Sequence, residues 1–122
     1  EALHGDSGMV EARDLVFAIS NSGETAELLA FVQIIKKIGA PIIAMTAGLD
    51  STLAKAAVVT LDISVPKEAD PYDIVPSASV AATLALGDAL AIAAMKLRGF
   101  GKDDFAVFHP GGALGAMLLG NG

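Results

Sequence analysis

Ser20, Asn21, Ser22, Gly23, Glu24 and Thr25 form one unbroken polar run between an apolar segment and an amphipathic one. Short hydroxyl and amide side chains around a glycine, set where a helix begins, collect backbone N–H groups and small donors on one spot. Such a spot receives an anion, above all a phosphate. Glu24 is the odd member, because a carboxylate repels phosphate. It either supports the helix dipole or acts as a general base aimed at the carbon chain of a sugar phosphate. His109 precedes Pro110-Gly111-Gly112, a backbone that can approach a ligand closely, and an imidazole there could shuttle protons near neutral pH. Glu68 lies with Lys67 and Asp70 in a proline-bounded loop, where a solvated charge cluster is the plainer reading. Asp88 sits inside an apolar stretch, and hydrogen bonding between helices explains a buried carboxylate there more simply than catalysis does. His4 and Asp6 are too few to define a metal site, and no metal is expected.

These residues need a frame. Leu15–Ser20 reads as a short strand buried on both faces, as in a parallel sheet. Glu24–Ile38 has Leu28, Phe31, Val32, Ile35 and Ile38 at helical spacing, with Lys36 and Lys37 near its end and Gly39 as a cap. A second strand follows over Ile42–Thr46. A short helix over Thr52–Ala57 is capped by Asp50 or Ser51, and Val58–Ile63 is a third strand. The alternation β-α-β-α-β with short connections predicts a parallel sheet between helical layers, an α/β three-layer αβα sandwich. Pro66–Pro76 is a loop, Ser77–Arg98 a long helix ended by Gly99, and Lys102–Phe108 a further short helix. From Ser77 to Met95 the only charge is Asp88, so that helix approaches the length and apolarity of a membrane span. Asp88, Thr83, Gly87 and two serines favour burial at a domain or subunit interface instead, and no membrane partner is expected. Glu1–Asp14 is polar and irregular, so the sheet has an open flank to be filled by residues outside this chain or by another subunit. Residues 1–119 read as one partial domain that lacks its first strand and helix, and 120–122 as a linker remnant.

The chain has 122 residues, 53% of them hydrophobic and only 5% aromatic, which calls for a core of Ala, Val, Ile and Leu. With a net charge of −6 and eight Lys and Arg in all, a nucleic-acid partner is not expected. There is no cysteine, which removes disulfides, thiolate catalysis and Cys-based zinc, and agrees with a cytoplasmic location. No basic-then-apolar leader opens the chain, and its first residue is Glu1, so it reads as a piece of something longer.

Taken together, the motifs resemble a family. Ser20–Thr25 resembles the signature of sugar isomerase (SIS) domains. Around it stand Glu1-Ala2-Leu3-His4-Gly5-Asp6, Lys67-Glu68-Ala69-Asp70-Pro71, Pro76-Ser77-Ala78-Ser79, Leu86-Gly87-Asp88-Ala89-Leu90 and Phe108-His109-Pro110-Gly111-Gly112-Ala113-Leu114-Gly115. In that order the set is similar to D-arabinose 5-phosphate isomerases. The resemblance implies interconversion of arabinose 5-phosphate and ribulose 5-phosphate, a step toward the acidic sugar of lipopolysaccharide or of some capsules. It also implies a five-stranded parallel sheet and a homotetramer with shared active sites. It places phosphate on Ser20, Ser22 and Thr25, with Asn21 and Gly23 in the same turn. Activity falls on Glu24, Glu68 and His109, with His4 lining the cleft and Ser77 in a hydroxyl run that contacts substrate. Two parts of the family pattern are absent from this chain: a lysine expected upstream of Glu1, and the paired CBS domains that often follow, since the sequence stops at Gly122.

Aldose–ketose isomerisation needs no cofactor. A base moves a proton between adjacent carbons through an enediol, while a second group moves one between the oxygens. Glu68 or Glu24 is the expected carbon base, and His109 the group that opens the ring or serves the oxygens. A non-catalytic sugar-phosphate sensor would keep the hydroxyl turn but could dispense with Glu68 and His109. A generic anion-binding flavodoxin-like module would leave the His109–Gly115 segment unexplained.

Overall fold

The structure, a computed structural model, describes residues 5–108 and residue 117. After a 3-10 helix at Asp6–Met9, the chain forms β1 (Val16–Ile19), α1 (Ala26–Ile38), β2 (Ile42–Thr46), α2 (Thr52–Ala56), β3 (Val59–Asp62), α3 (Ala78–Leu97) and α4 (Lys102–Phe108). The three strands are parallel in the order β1-β2-β3, with Ala18 beside Ala44 and Ala44 beside Thr60. The expected elements are all present, each within two residues of its expected ends.

The chain divides within α3 into two compact units, one ending at Leu84 and the other starting at Ala85. In the first, α1 and α2 cover one face of the sheet. Val32 and Ile35 from α1 and Leu53 from α2 join Ala18, Ile42 and Ala44 in the core. Complete burial of Ile35, Ile42 and Leu53 stabilises the fold by about 1.5–3 kcal/mol for each side chain. Gly39 ends α1 in the left-handed region (φ 89°), its N–H bonding to the Ile35 carbonyl, with Lys36 and Lys37 in the preceding turn. Small residues on the strands let the helices lie close, which is why an aromatic-poor sequence still closes a core.

The opposite face corrects one expectation. Phe17, Ile19 and Val59 are each about half exposed, so among the described residues β1 is buried on one side only. Asp88 is also exposed rather than buried. Helix α3 is long and apolar enough to cross a membrane by length and composition, yet only 6% of its apolar stretch is buried within the chain.

In the second unit, Gly99 (φ 66°) stops α3 and the Phe100 N–H reaches back to the Met95 carbonyl. Asp104 accepts the Gly101 N–H at 2.8 Å to start α4, and the rings of Phe100 and Phe108 stack with centroids 6.4 Å apart.

Candidate functional site

The Ser20–Thr25 turn leaves the carboxyl end of β1, where ligands of open parallel sheets bind. It is braced from behind by the loop after β2. The Asn21 carbonyl accepts three donors, the N–H groups of Ala47 and Gly48 and the Thr46 hydroxyl. The Gly23 carbonyl accepts the N–H of buried Leu53. Two glycines make this contact possible. Gly23 has φ 69° and lies against Ser51 and Thr46, and a Cβ on Gly48 would strike the Ser22 carbonyl. The turn is thus held in a single shape before any ligand arrives.

Its hydroxyls form a chain. The Gly23 N–H donates to Ser20 Oγ at 3.0 Å, and Ser20 Oγ lies 2.8 Å from Thr25 Oγ1. When Ser20 donates, Thr25 keeps its own proton for an outside acceptor, and linked hydroxyls polarise one another. Thr25 is the N-cap of α1 but makes no side-chain cap, and the first intrahelical bond runs from the Leu29 N–H to its carbonyl. The N–H groups that open α1 therefore lack an intrahelical acceptor and gain no side-chain cap in its place. The Ser22 hydroxyl accepts the Glu24 N–H and is exposed.

Glu24 points elsewhere. Its Oε1 accepts the Thr52 N–H at 2.7 Å, at the start of α2, where Ser51 also accepts the Ala54 N–H. The bond from the Thr52 backbone holds the Glu24 carboxyl below its usual 4.5. The carboxylate that looked misplaced beside a phosphate ties the turn to the neighbouring helix.

A cleft of about 250 Å³ opens beside the turn. Its walls are Ile19, Ser20 and Asn21 after β1, Ile63 after β3, and Pro76, Ser79, Val80, Thr83 and Leu84 at the start of α3. Ser79 is buried, and Thr83 donates its hydroxyl proton to the Ser79 carbonyl at 2.8 Å. Behind this wall stands Glu68. Its Oε2 accepts the Ser77 N–H at 2.9 Å, the Ser77 hydroxyl at 3.0 Å and the Ser79 N–H at 3.1 Å. The Ser79 side chain, with the N–H groups of Ser77 and Ser79 and the Ser77 hydroxyl, outweighs partial burial and lowers the Glu68 carboxyl from 4.5 to about 2. The loop that carries it is built on carboxylates. Asp70 accepts the N–H groups of Tyr72, Ile74 and Val75, and Asp73 accepts that of Glu68. Bonds from Val75, Tyr72 and Ile74 lower the Asp70 carboxyl despite its partial burial.

The structure thus gathers Ser20 and Asn21 on one wall of the cleft and sets Glu68 behind the other. Ser77 is turned into the Glu68 loop, where its hydroxyl also accepts the Ala69 N–H. His4 and His109 lie outside the described residues. Sequence reasoning overlooked Thr46 and Ser51, which brace the turn from 25 and more residues away, and Thr83, whose place on the cleft follows from its helical spacing to Ser79. No group of acidic or imidazole side chains suited to a metal ion occurs among the described residues.

The sheet, the hydroxyl turn and the cleft at the strand ends are those of a SIS domain; the SIS model matches residues 1–93, and the chain belongs to that family. Within it, the chain is similar to the arabinose 5-phosphate isomerases KdsD of Pseudomonas aeruginosa, 54% identical, and of Salmonella typhi, 52% identical, each over 119 residues and 98% of this chain. It spans 36% of the length of those relatives. An E. coli CFT073 protein solved in complex with arabinose 5-phosphate superposes with a TM-score of 0.85 at 44% identity, over 89% of this chain and 58% of that one. A Listeria monocytogenes structure matches with the same TM-score of 0.85 at 36% identity, over 90% of this chain and 58% of the other.

Proposed function

We propose that this chain is the sugar-phosphate-binding domain of an aldose–ketose isomerase that interconverts D-arabinose 5-phosphate and D-ribulose 5-phosphate through an enediol. The observation that carries this reading is the identity of 52% or more, over 119 residues, to proteins named arabinose 5-phosphate isomerase. The geometry supports it. In this reading the phosphoryl group sits on the Ser20–Thr25 turn and the uncapped start of α1, held by the Thr25 and Ser22 hydroxyls and by the helix dipole. The carbon chain runs into the cleft toward α3. Glu68, held by Ser77 and Ser79 at the start of α3, is the carbon base. Glu24 is less suited, since its carboxylate serves α2. A carboxyl near 2 is ionised at neutral pH, as a proton acceptor must be. His109 moves protons at the oxygens, His4 completes the substrate contacts, and Ser77 acts by holding Glu68 rather than by touching the sugar. The isomerase works without a cofactor, in the cytoplasm, as a homotetramer in which the exposed apolar length of α3 is covered by neighbouring subunits.

The test is a thermal-shift panel of pentose and hexose phosphates on the full-length protein, run beside a turnover assay from arabinose 5-phosphate. Selective stabilisation by five-carbon phosphates together with turnover is the expected result. A response to inorganic phosphate equal to that for the sugars would reduce the site to a general anion cradle. Selective binding without turnover would make the domain a sensor.

A further inference from the structure

Strand β2 ends on a polar residue. Ile42, Ala44 and Met45 are buried and apolar, and Thr46, next in line, is wholly buried too. A hydroxyl there costs free energy unless both its proton and its oxygen find partners, and a valine would fill nearly the same space. Thr46 Oγ1 finds both. It accepts the Gly48 N–H at 3.0 Å, so its own proton is left to go to the Asn21 carbonyl at 3.1 Å. The same carbonyl takes the Ala47 N–H at 3.0 Å and, at 3.3 Å, a share of the Gly48 N–H. Three donors on one carbonyl fix the plane of the Asn21–Ser22 peptide. That peptide is trans, so the Ser22 N–H lies opposite the carbonyl and faces away from the loop after β2. It has no partner among the described residues, and Ser22 is exposed.

We propose that Thr46 is a positioning residue for phosphate binding, its hydroxyl holding the Asn21–Ser22 peptide so that the Ser22 N–H is presented to the phosphoryl group. This rests on the sugar-phosphate reading above. The outward N–H is the positive end of a peptide dipole, and the donors on its carbonyl polarise it further. Two of those donors belong to the backbone and do not depend on the residue type at 46. The third is the Thr46 hydroxyl, which no apolar side chain replaces. Without it the Gly48 N–H keeps only its 3.3 Å contact with Asn21, and the peptide plane loses a restraint. A donor that must then be ordered as the ligand arrives costs affinity. Thr46 itself, buried behind the turn, touches no ligand and acts only through Asn21 and Ser22.

The experiment compares the full-length protein with its Thr46→Val and Thr46→Ser variants, each below its own melting temperature. It reads turnover of arabinose 5-phosphate and calorimetric binding of inorganic phosphate. For Thr46→Val the expected result is a KM raised about ten-fold, phosphate affinity lowered in step and kcat changed less than about three-fold, the pattern of lost binding shared by substrate and transition state. Thr46→Ser keeps the hydroxyl and should bring both binding values back to within about three-fold. A valine variant that melts earlier but binds like the unaltered protein would overturn the proposal, as would a serine variant no better than valine. Should Thr46→Val not fold, the unaltered protein still decides. With serine-selective nitrogen labelling, its Ser22 amide proton should move downfield in the NMR spectrum as phosphate is added, and an unmoved Ser22 amide overturns the proposal. An unaltered protein that responds to neither arabinose 5-phosphate nor phosphate overturns the sugar-phosphate reading and this one with it, whereas unchanged binding in Thr46→Val leaves that reading in place.

Discussion

The start of α1 and the start of α3 face similar demands and meet them in different ways. Both follow loops at the carboxyl edge of the sheet, both are rich in serine, and the loop that leads into α1 shares one cleft with the first turns of α3. At α1 the local hydroxyls bond to one another, and the acidic residue that follows them is drawn off to α2. At α3 an acidic residue nine positions upstream folds back over the helix end. One end thus keeps its positive dipole for an outside anion, and the other is neutralised from within. Serine content alone does not make an anion site. What matters is whether a carboxylate is near enough to claim the donors first.

The sharpest way to break this comparison is Glu68→Gln, which keeps the size of the side chain and one acceptor oxygen but removes the charge and, with it, the proposed base. Turnover by the full-length protein should fall about 10²–10⁴-fold, with phosphate binding retained. Near-normal turnover would leave Glu68 as a helix cap and nothing more. Next in size is Gly23→Ala. The added methyl meets the Ser51 side chain and Thr46 Oγ1, the latter at 2.9 Å, from a backbone at φ 69°. Strain and overpacking together should cost about 3 kcal/mol of stability, read from denaturant unfolding. A loss below about 1 kcal/mol would show that the brace behind the α1 turn yields easily. Smaller again is Thr25→Val. It removes the hydroxyl that ends the chain from Gly23 through Ser20 but preserves the shape. Affinity for every phosphorylated ligand should weaken roughly ten-fold by titration calorimetry, as for one lost hydrogen bond to a charged group.

The elements were legible because their signals are local. Leu28, Val32 and Ile35 repeat at helical spacing, Gly39 and Gly99 stop helices, and Ser51 starts one. The hydroxyl turn was legible for the same reason. The roles of the two glutamates were not. Glu24 bonds to a backbone 28 residues on, and Glu68 to N–H groups nine and eleven residues on, beyond the three-residue reach of a capping box. Each looked free in the sequence because its partner is a main-chain N–H, and every residue but proline offers one of those. Burial of β1 failed as an expectation for a related reason. The apolar run Leu15–Ile19 states that both faces want cover, but among the described residues one face of the strand stays half exposed.

The smallest effect separates the two glutamates by acid. Folding lowers both carboxyls, Glu68 to about 2 and Glu24 by the Thr52 bond. In the unfolded chain both titrate near 4.5. Below that value the unfolded state takes up protons that the folded state refuses, so acid favours unfolding. The stability contributed by each carboxylate is complete above 4.5, and for Glu68 it is exhausted only as the pH approaches about 2. The melting temperature of the full-length protein should therefore decline through that window. Glu68→Gln should flatten the decline more than Glu24→Gln, because one Glu68 oxygen collects three donors where Glu24 collects one. Equal slopes for the two variants would mean that the α3 cap loosens in solution. The donors at α3 would then be as open to a ligand as those at α1, and the contrast between the two helix ends would be lost.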